Sequence, residues 1–543
     1  MYKRQELGRY DNLVLWHLDN EFGWNKCHCP ECNDAFRKAM KAKYQMPEQL
    51  NEAIGGAFWS EDFWEWEDLE IPRAGYSTVG GGSSPEMKLA FSQFFSDQTI
   101  SFMTEQVEAL RSAGCKLPIS TNMMADFEQI DYWKQAEALD VVGWDNYFDV
   151  YTLAGDSLGH NLMRSLKGGK GFWTFENQVD TVDAGVPTAP GFNIVHALSA
   201  MAHGEIGHTF FRWDSCRFAQ EQDLQGLVDW GGNRRAKLLE VGERRRILNA
   251  MSGLALPPVA TPIALVFSYP NYWNTARYYG HYWEEVESFY QALFDSGFIC
   301  DCVQPGADLS RYKLVLAPGL QIVTPGELEN FRNYVRNGGV LLAGRKTFSK
   351  GPSGSYLDSS HPALGDVFGM RVIETHDSRN RNGLDFRGFY WAQSPEVSYP
   401  MVGHQNLPAA QSQGWFETLE LQGAEALYTY EDGYYAGAGG TAASKNRFGD
   451  GSAYYLGTRI GREPMKALVC QALEEAHIGP VVDIPQGMQL VRRGNHWMVT
   501  NHSEIALTLQ LPYPARLLHG TAPDGQTLTL PPYGWSLLEV TPS

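Results

Sequence analysis

The chain has 543 residues, 43% of them apolar and 20% charged, and a formal net charge of −19. That length exceeds one ordinary core and leads to roughly three domains. The acidic balance argues against nucleic acid or an anionic membrane surface as partner, because phosphate binding needs clustered Lys and Arg, and no apolar run approaches the roughly 18 residues of a membrane span.

In chain order, residues 13–18 (LVLWHL) form a short apolar run that ends in Asp19-Asn20-Glu21. A buried parallel strand with polar residues at its C-terminal tip reads this way. The pattern recurs in KLPISTN (116–122), LDVVGWDNY (139–147), GKGFWTFE (169–176) and GHTFFRW (207–213). Helical stretches at 85–114, 130–138 and 191–204 lie between them. Strand, polar tip, helix, strand is the grammar of a β/α barrel, whose strand ends carry its chemistry. Five such strands are legible where a closed barrel has eight, so the expectation is a partial TIM (β/α) barrel lacking its first strands. The Trp-rich, then Gly/Ser-rich segment 55–84 reads as a long loop on the catalytic face, or as a plain surface excursion.

A proline cluster near 255–262 marks a boundary. Beyond it, PIALVFSYP, YKLVLAPGL and GGVLLAGR alternate with helices at about 281–297 and 325–337, the pattern of a doubly wound α/β domain. No phosphate-cradling glycine motif follows its first strand. From about 385 to 460 the texture is β-like, and 484–543 alternates apolar and polar residues around turns at Arg493-Gly494-Asn495 and Asp524-Gly525, as in a small C-terminal β-sandwich. The expected domains are therefore 1–255, 256–480 and 484–543.

Glycosidic bonds are usually cleaved by two carboxyl groups, one protonating the leaving oxygen and the other attacking carbon or activating water. Glu21 and Glu176 stand at matching strand tips, 155 positions apart, a span that suits strands facing each other across a barrel mouth. A helix cap or a surface salt bridge is the alternative for any single glutamate. Asn20 is placed to donate to a sugar 2-hydroxyl. Asp145 and Glu221 follow two further tips, as sugar-hydroxyl acceptors or as structural groups. Arg212 and Trp213 orient carboxylates or close the barrel. Cys27, Cys29 and Cys32 have a C-x-C-x-x-C spacing that lets three thiolates share a tetrahedral zinc ion, with His28 or a distant residue as fourth ligand; three free thiols in a loop are the alternative. The eight cysteines are too few and uneven for a disulfide scaffold. With no apolar leader in MYKRQELGRYDN, they point to the cytoplasm.

WHLDNEFGWNKCHCPECNDAFRKAM (16–40) resembles the acid/base segment of family-42 glycoside hydrolases, FWTFENQ (172–178) the nucleophile segment, VVGWDNY (141–147) the sixth strand and AMAHGEIGHTFFRWDSCRFAQEQ (200–222) the last strand and its loop. The resemblance implies a retaining β-galactosidase acting on terminal non-reducing β-D-galactosides, with Glu21 as acid/base and Glu176 as nucleophile. Asn20, Asp145 and Glu221 would contact the galactose ring. Cys27, Cys29 and Cys32 would be three of four structural zinc ligands, the fourth belonging upstream of this chain. It also implies a homotrimer built through the middle domain. Against the family pattern, Leu224 stands where a histidine is frequent, and the loop NQVDTVDAGVPTAPG is short and without its tryptophan. These departures leave two other readings: an enzyme preferring α-L-arabinopyranosides or β-D-fucosides, and an inactive fragment or non-catalytic sugar-binding relative.

Overall fold

The computed structural model describes residues 10–24, 26–72, 84–148, 151–180, 188–275, 282–357, 361–377, 398–431 and 440–541. Its first part is a parallel arc taken in chain order. β1 (Trp16–His17) pairs with β2 (Ile119–Ser120); the same segment continues past Thr121 as β3 (Asn122–Met123), which pairs with β4 (Val142–Asn146), then β5 (Phe172–Asn177) and β6 (Glu205–His208). These are five strand positions of a β/α barrel. The helices between them are α1 (Pro30–Tyr44), α2 (Pro47–Ile54), α3 (Pro85–Ser112), α4 (Tyr132–Glu137), α5 (Leu153–Leu166), α6 (Phe192–His203) and, after β6, α7 (Ala236–Met251).

Local chemistry sets their limits. Ser84 caps α3 by accepting the Met87 N–H, with Pro85 at the first helical position. Thr152 caps α5 in the same way, and α6 ends on Gly204 at φ 107°, a left-handed position that glycine takes without strain. The sequence pattern does not announce α5, because Gly155 and Gly159 interrupt it. Gly159 is there for contact: a Cβ would stand 2.8 Å from the Trp144 ring of β4. Leu158, Leu162 and Met163 of α5 are at most 1% exposed, each burial stabilising by roughly 1.5–3 kcal/mol.

Two expectations change in detail. The last strand ends at His208 rather than running to Trp213; beyond it only a single bridge joins Phe211 to Gln178, ahead of a cis peptide at Phe211–Arg212. Residues 55–72 are not a bare loop. They form two short turns, Phe58–Ser60 and Trp66–Asp68, and Leu69 and Ile71 close a separate core with Phe36, Leu50, Phe91 and Phe94. The rest of that segment, 73–83, lies outside the described residues, as do 181–187 of the loop after Glu176.

The second part is a mixed sheet. Its parallel half runs Asp301–Val303, Ile263–Val266, Leu314–Ala317, Val340–Ala343, Gly451–Leu456, and antiparallel strands extend it. Helix Pro325–Arg336 covers one face through Phe331 and Val335; helices Tyr282–Asp295 and Arg462–Glu475 cover the other. Burial on both faces is why the strands read as unbroken apolar runs. The last part packs a four-stranded antiparallel sheet (Met488–Arg493, His496–Asn501, Trp535–Val540, Ala515–Gly520) against a two-stranded antiparallel sheet of Leu507–Gln510 and Thr527–Leu530 around one apolar core. The parts share packing. Arg164 of α5 is buried against Asp301 at 2.5 Å, and Leu198 and Ala202 of α6 join Val491, Met498 and Leu537.

Candidate active site

The tip of β1 turns sharply, with Asp19 at φ 39° and Glu21 at φ 43°. Non-glycine residues rarely hold such values, and the neighbouring structure must impose them. Here it is Asn122, at the tip of the adjoining strand. Its Oδ1 accepts the backbone N–H of Glu21 at 2.7 Å, and its Nδ2 donates to Asn20 Oδ1 at 2.8 Å and to Asp145 Oδ2 at 2.5 Å. One buried amide thereby ties three of the expected site residues together.

Across β4 and β5 the register shifts at a bulge: Trp144 lies opposite Thr174, yet Asp145 lies opposite Glu176. Phe175 is the extra residue, and its ring covers Gly143, where a Cβ would fall 1.9 Å from it. Bulges re-aim side chains in this way. Asp145 and Glu176 therefore converge, and one carboxylate oxygen from each of Glu21, Asp145 and Glu176 lies within 4.8 Å of the others. Three such oxygens can attract a cation, or share protons among themselves.

The electrostatics follow from crowding. Asp145 is 1% exposed; burial and the charges of Glu176 and Glu21 push its pKa up to about 9 against the Asn122 hydrogen bond, so it is neutral at pH 7. Burial also raises Glu176; the Tyr147 hydroxyl, donating to Oε2 at 2.5 Å, pulls it back toward the anion, and the charges of Glu21 and Glu221 raise it. Tyr147 stays protonated, held there first by burial and then by the Glu176 charge. Trp24 donates its indole N–H to Glu21 Oε2 at 2.9 Å.

Glu221 stands further out, half-exposed, and pairs with Arg212 at 3.3 Å. Asn20 is exposed, with its Oδ1 on Asn122. Cys27, Cys29 and Cys32 gather with their sulfurs within 4.8 Å. Cys29 caps α1 and accepts the Cys32 N–H at 3.4 Å, while the Cys29 backbone N–H, ahead of the two neighbouring thiols, lowers the Cys27 thiol pKa. His28 does not join them, for its ring nitrogens face the carbonyls of Lys26 and Pro72 at 3.2 and 3.3 Å. Asn122, Tyr147 and Trp24 are site residues that the motif search passed over. Asn122 and Tyr147 sit at strand tips already singled out, which was the available signal.

A β/α arc with carboxyl groups converging at its strand tips supplies what a glycoside hydrolase needs, and the comparisons assign that class. The β-galactosidase family profile of glycoside hydrolase family 42 matches residues 4–251, and the β-galactosidase trimerisation domain matches residues 261–479. A β-galactosidase of a Geobacillus strain is 28% identical over 534 residues, covering 93% of this chain and 75% of that protein. One from Halorubrum lacusprofundi is 29% identical over 530 residues, covering 92% and 73%. Among solved structures, the cold-adapted β-galactosidase of Rahnella sp. R3 superposes with a TM-score of 0.87 at 27% identity over 99% of this chain and 79% of that one. The Halorubrum lacusprofundi enzyme gives 0.86 at 26% over 99% and 81%. The chain belongs to glycoside hydrolase family 42.

Proposed function

We propose that the protein is a retaining β-galactosidase that removes terminal non-reducing β-D-galactosyl groups from oligosaccharides. The observation that carries this reading is the approach of Glu21 and Glu176 carboxylate oxygens within 4.8 Å. Retaining enzymes hold their two carboxyls about 5–5.5 Å apart, whereas inverting ones leave about 6.5–9.5 Å for a water. The names of the relatives supply the sugar.

Glu176 is the nucleophile. The Tyr147 hydroxyl holds one of its oxygens, which leaves the other to attack the anomeric carbon. Glu21 protonates the departing oxygen, and a galactosyl ester forms on Glu176. Esterification discharges that side of the cavity; Glu21 then takes a proton from water, which attacks the same carbon, and two inversions give net retention. Neutral Asp145 adds no charge beside the developing oxocarbenium ion and, with Asn20 and Glu221, holds sugar hydroxyls.

Cys27, Cys29 and Cys32 fit three corners of a tetrahedral zinc site, by donor type and by spacing. Zinc there would be structural, pinning the segment after Glu21. The match to a trimerisation domain supports a homotrimer. That none of the eight cysteines forms a disulfide supports a reducing, cytoplasmic location; among the described residues no helix is long and apolar enough to cross a membrane.

The test is Glu176→Gln assayed on aryl β-D-galactoside, α-L-arabinopyranoside and β-D-fucoside. Turnover of the galactoside should vanish while the circular dichroism spectrum stays unchanged. Full activity in that variant rejects the nucleophile, and a wild-type preference for one of the other two glycosides moves the sugar assignment.

A further inference from the structure

Asp145 and Asn146 are neighbours on β4 and face opposite ways, as successive strand residues must. Asp145 faces the carboxylates. Asn146 faces α5 and α6, where its Nδ2 meets Asp156 Oδ1 at 2.8 Å and His196 Nε2 at 3.2 Å. Asp156 and His160 lie four positions apart on α5, a spacing that puts both on one helix face. His196 comes from α6. All three are buried, and each brings one ligand atom to within 4.8 Å of the others.

The distances are informative. His160 Nε2 is 3.5 Å from Asp156 Oδ2, and His196 Nε2 is 3.4 Å from Asp156 Oδ1. Both exceed the roughly 2.7–3.2 Å of a good hydrogen bond. Each falls within the about 3.3–3.6 Å that bonds of about 2.0–2.2 Å put between adjacent donors around one ion, and the two run to different oxygens of the carboxylate.

A second observation is independent of that spacing. His160 is 0% exposed and neither of its ring nitrogens has a hydrogen-bond partner. Asp156 Oδ2, His196 Nδ1 and Asn146 Oδ1 are likewise buried without one. Buried polar atoms are nearly always satisfied, so His160 Nε2, Asp156 Oδ2 and Asn146 Oδ1 indicate a missing partner, while the two Nδ1 atoms, on the far edge of each ring from Nε2, are not its ligands. A cavity of 380 Å³ is lined in part by Asp156, His196, Phe192 and His502 and so borders one side of the cluster.

We propose that Asp156, His160 and His196 bind one first-row divalent cation, zinc by preference. Two imidazoles and a carboxylate suit such an ion, and zinc imposes no rigid geometry of its own. The amide of Asn146, turned over about its last bond, presents its orphaned Oδ1 as fourth ligand. The ion ties β4 to α5 and α6 and so braces the strand that carries Asp145. This site is separate from the cysteine cluster, takes part in no step of hydrolysis, and does not depend on the galactosidase reading.

The experiment uses the full chain with Cys27, Cys29 and Cys32 replaced by Ser, stripped with a chelator and titrated with Co²⁺. One equivalent should bind with tetrahedral d–d absorption and no thiolate charge-transfer band, and the melting temperature should rise with added Zn²⁺. Both effects should be lost in Asp156→Asn and in His160→Gln, either of which suffices if the other fails to fold. Should the triple serine background itself misfold, the wild-type chain shows two cobalt spectra, of which His160→Gln removes only the one without thiolate character. A parent chain that yields no nitrogen-and-oxygen cobalt spectrum overturns the proposal, and so does a spectrum that survives both substitutions.

Discussion

Asn122 Oδ1 accepts the backbone N–H of Glu21 at 2.7 Å, across 101 positions of sequence, while the same amide holds Asp145. Glu21 sits at positive φ on a loop tip, where Trp24 of its own segment holds only the carboxylate and the backbone is tied by Asn122. The amide fixes the backbone from which Glu21 reaches toward Glu176, and the Trp24 indole holds the carboxylate itself. Asn122→Ala should lower kcat by about 10²-fold, since a displacement of about 1 Å at a reacting group costs that much. It should also cost about 1–3 kcal/mol of stability from the unpaired groups left behind. Steady-state kinetics with a denaturant melt separate the two effects, and unchanged kcat in a destabilised variant would assign Asn122 to folding alone.

Tyr147→Phe tests the other carboxyl. The hydroxyl stabilises the charged form of Glu176, so its removal lets burial and the Glu21 charge raise the Glu176 pKa further. Activity that needs the anion is lost as pH falls through that pKa. The acidic limb of the kcat/KM profile should therefore move to higher pH, with the loss greatest under acid conditions and smallest above neutrality. A limb that stays in place while the whole profile drops would mean that Tyr147 acts on the sugar rather than on Glu176.

Metal removal addresses the cysteines. If zinc sits on Cys27, Cys29 and Cys32, a chelator should release it with appearance of reactive thiols and a drop in melting temperature, about 2–4 °C for each kcal/mol lost in a unit of this size. Cys29→Ser should abolish that release. Because Cys29 also caps α1, the segment 26–72 should become protease-sensitive in the same variant. Thiols that titrate at once in the untreated protein would leave the cluster as free cysteines.

Asp301→Ala probes the junction between the barrel and the middle sheet. Arg164 is 2% exposed and bonds Asp301 at 2.5 Å and the Cys300 carbonyl at 2.8 Å. Stranding a buried guanidinium costs about 3–5 kcal/mol. The expected result is a lower unfolding free energy with kcat retained, read from urea melts beside the aryl-galactoside assay. A loss below about 1 kcal/mol would place Arg164 among exposed pairs that contribute little.

Much of the site was legible because it is written locally. Glu21, Asp145 and Glu176 each close an apolar run, and an apolar run that ends in a carboxyl is a strand tip whatever surrounds it. The apolar runs and turns of the C-terminal part were legible for the same reason, with Gly494 and Gly525 at positive φ where turns were expected. What escaped detection depends on partners far away in sequence. Asn122 reads as the end of a strand, and its three bonds come from elements up to 102 positions distant. His28 reads as a neighbour of the cysteines, but two carbonyls claim its ring. The α5 helix was masked by Gly155 and Gly159, of which Gly159 makes room for the Trp144 ring, and with it went the Asp156–His160–His196 cluster.

By itself, the amino-acid sequence determined which side chains end the strands, which segments alternate as β/α units, and that a cysteine triad follows the first tip. Tertiary structure alone decided the distances: the bulge at Phe175 that levels Glu176 with Asp145, and the amide that ties the Glu21 backbone. The physical reason is that backbone periodicity is a short-range property read within a few residues. A separation between carboxyls depends on strand register and on hydrogen bonds between segments that only the folded chain brings together.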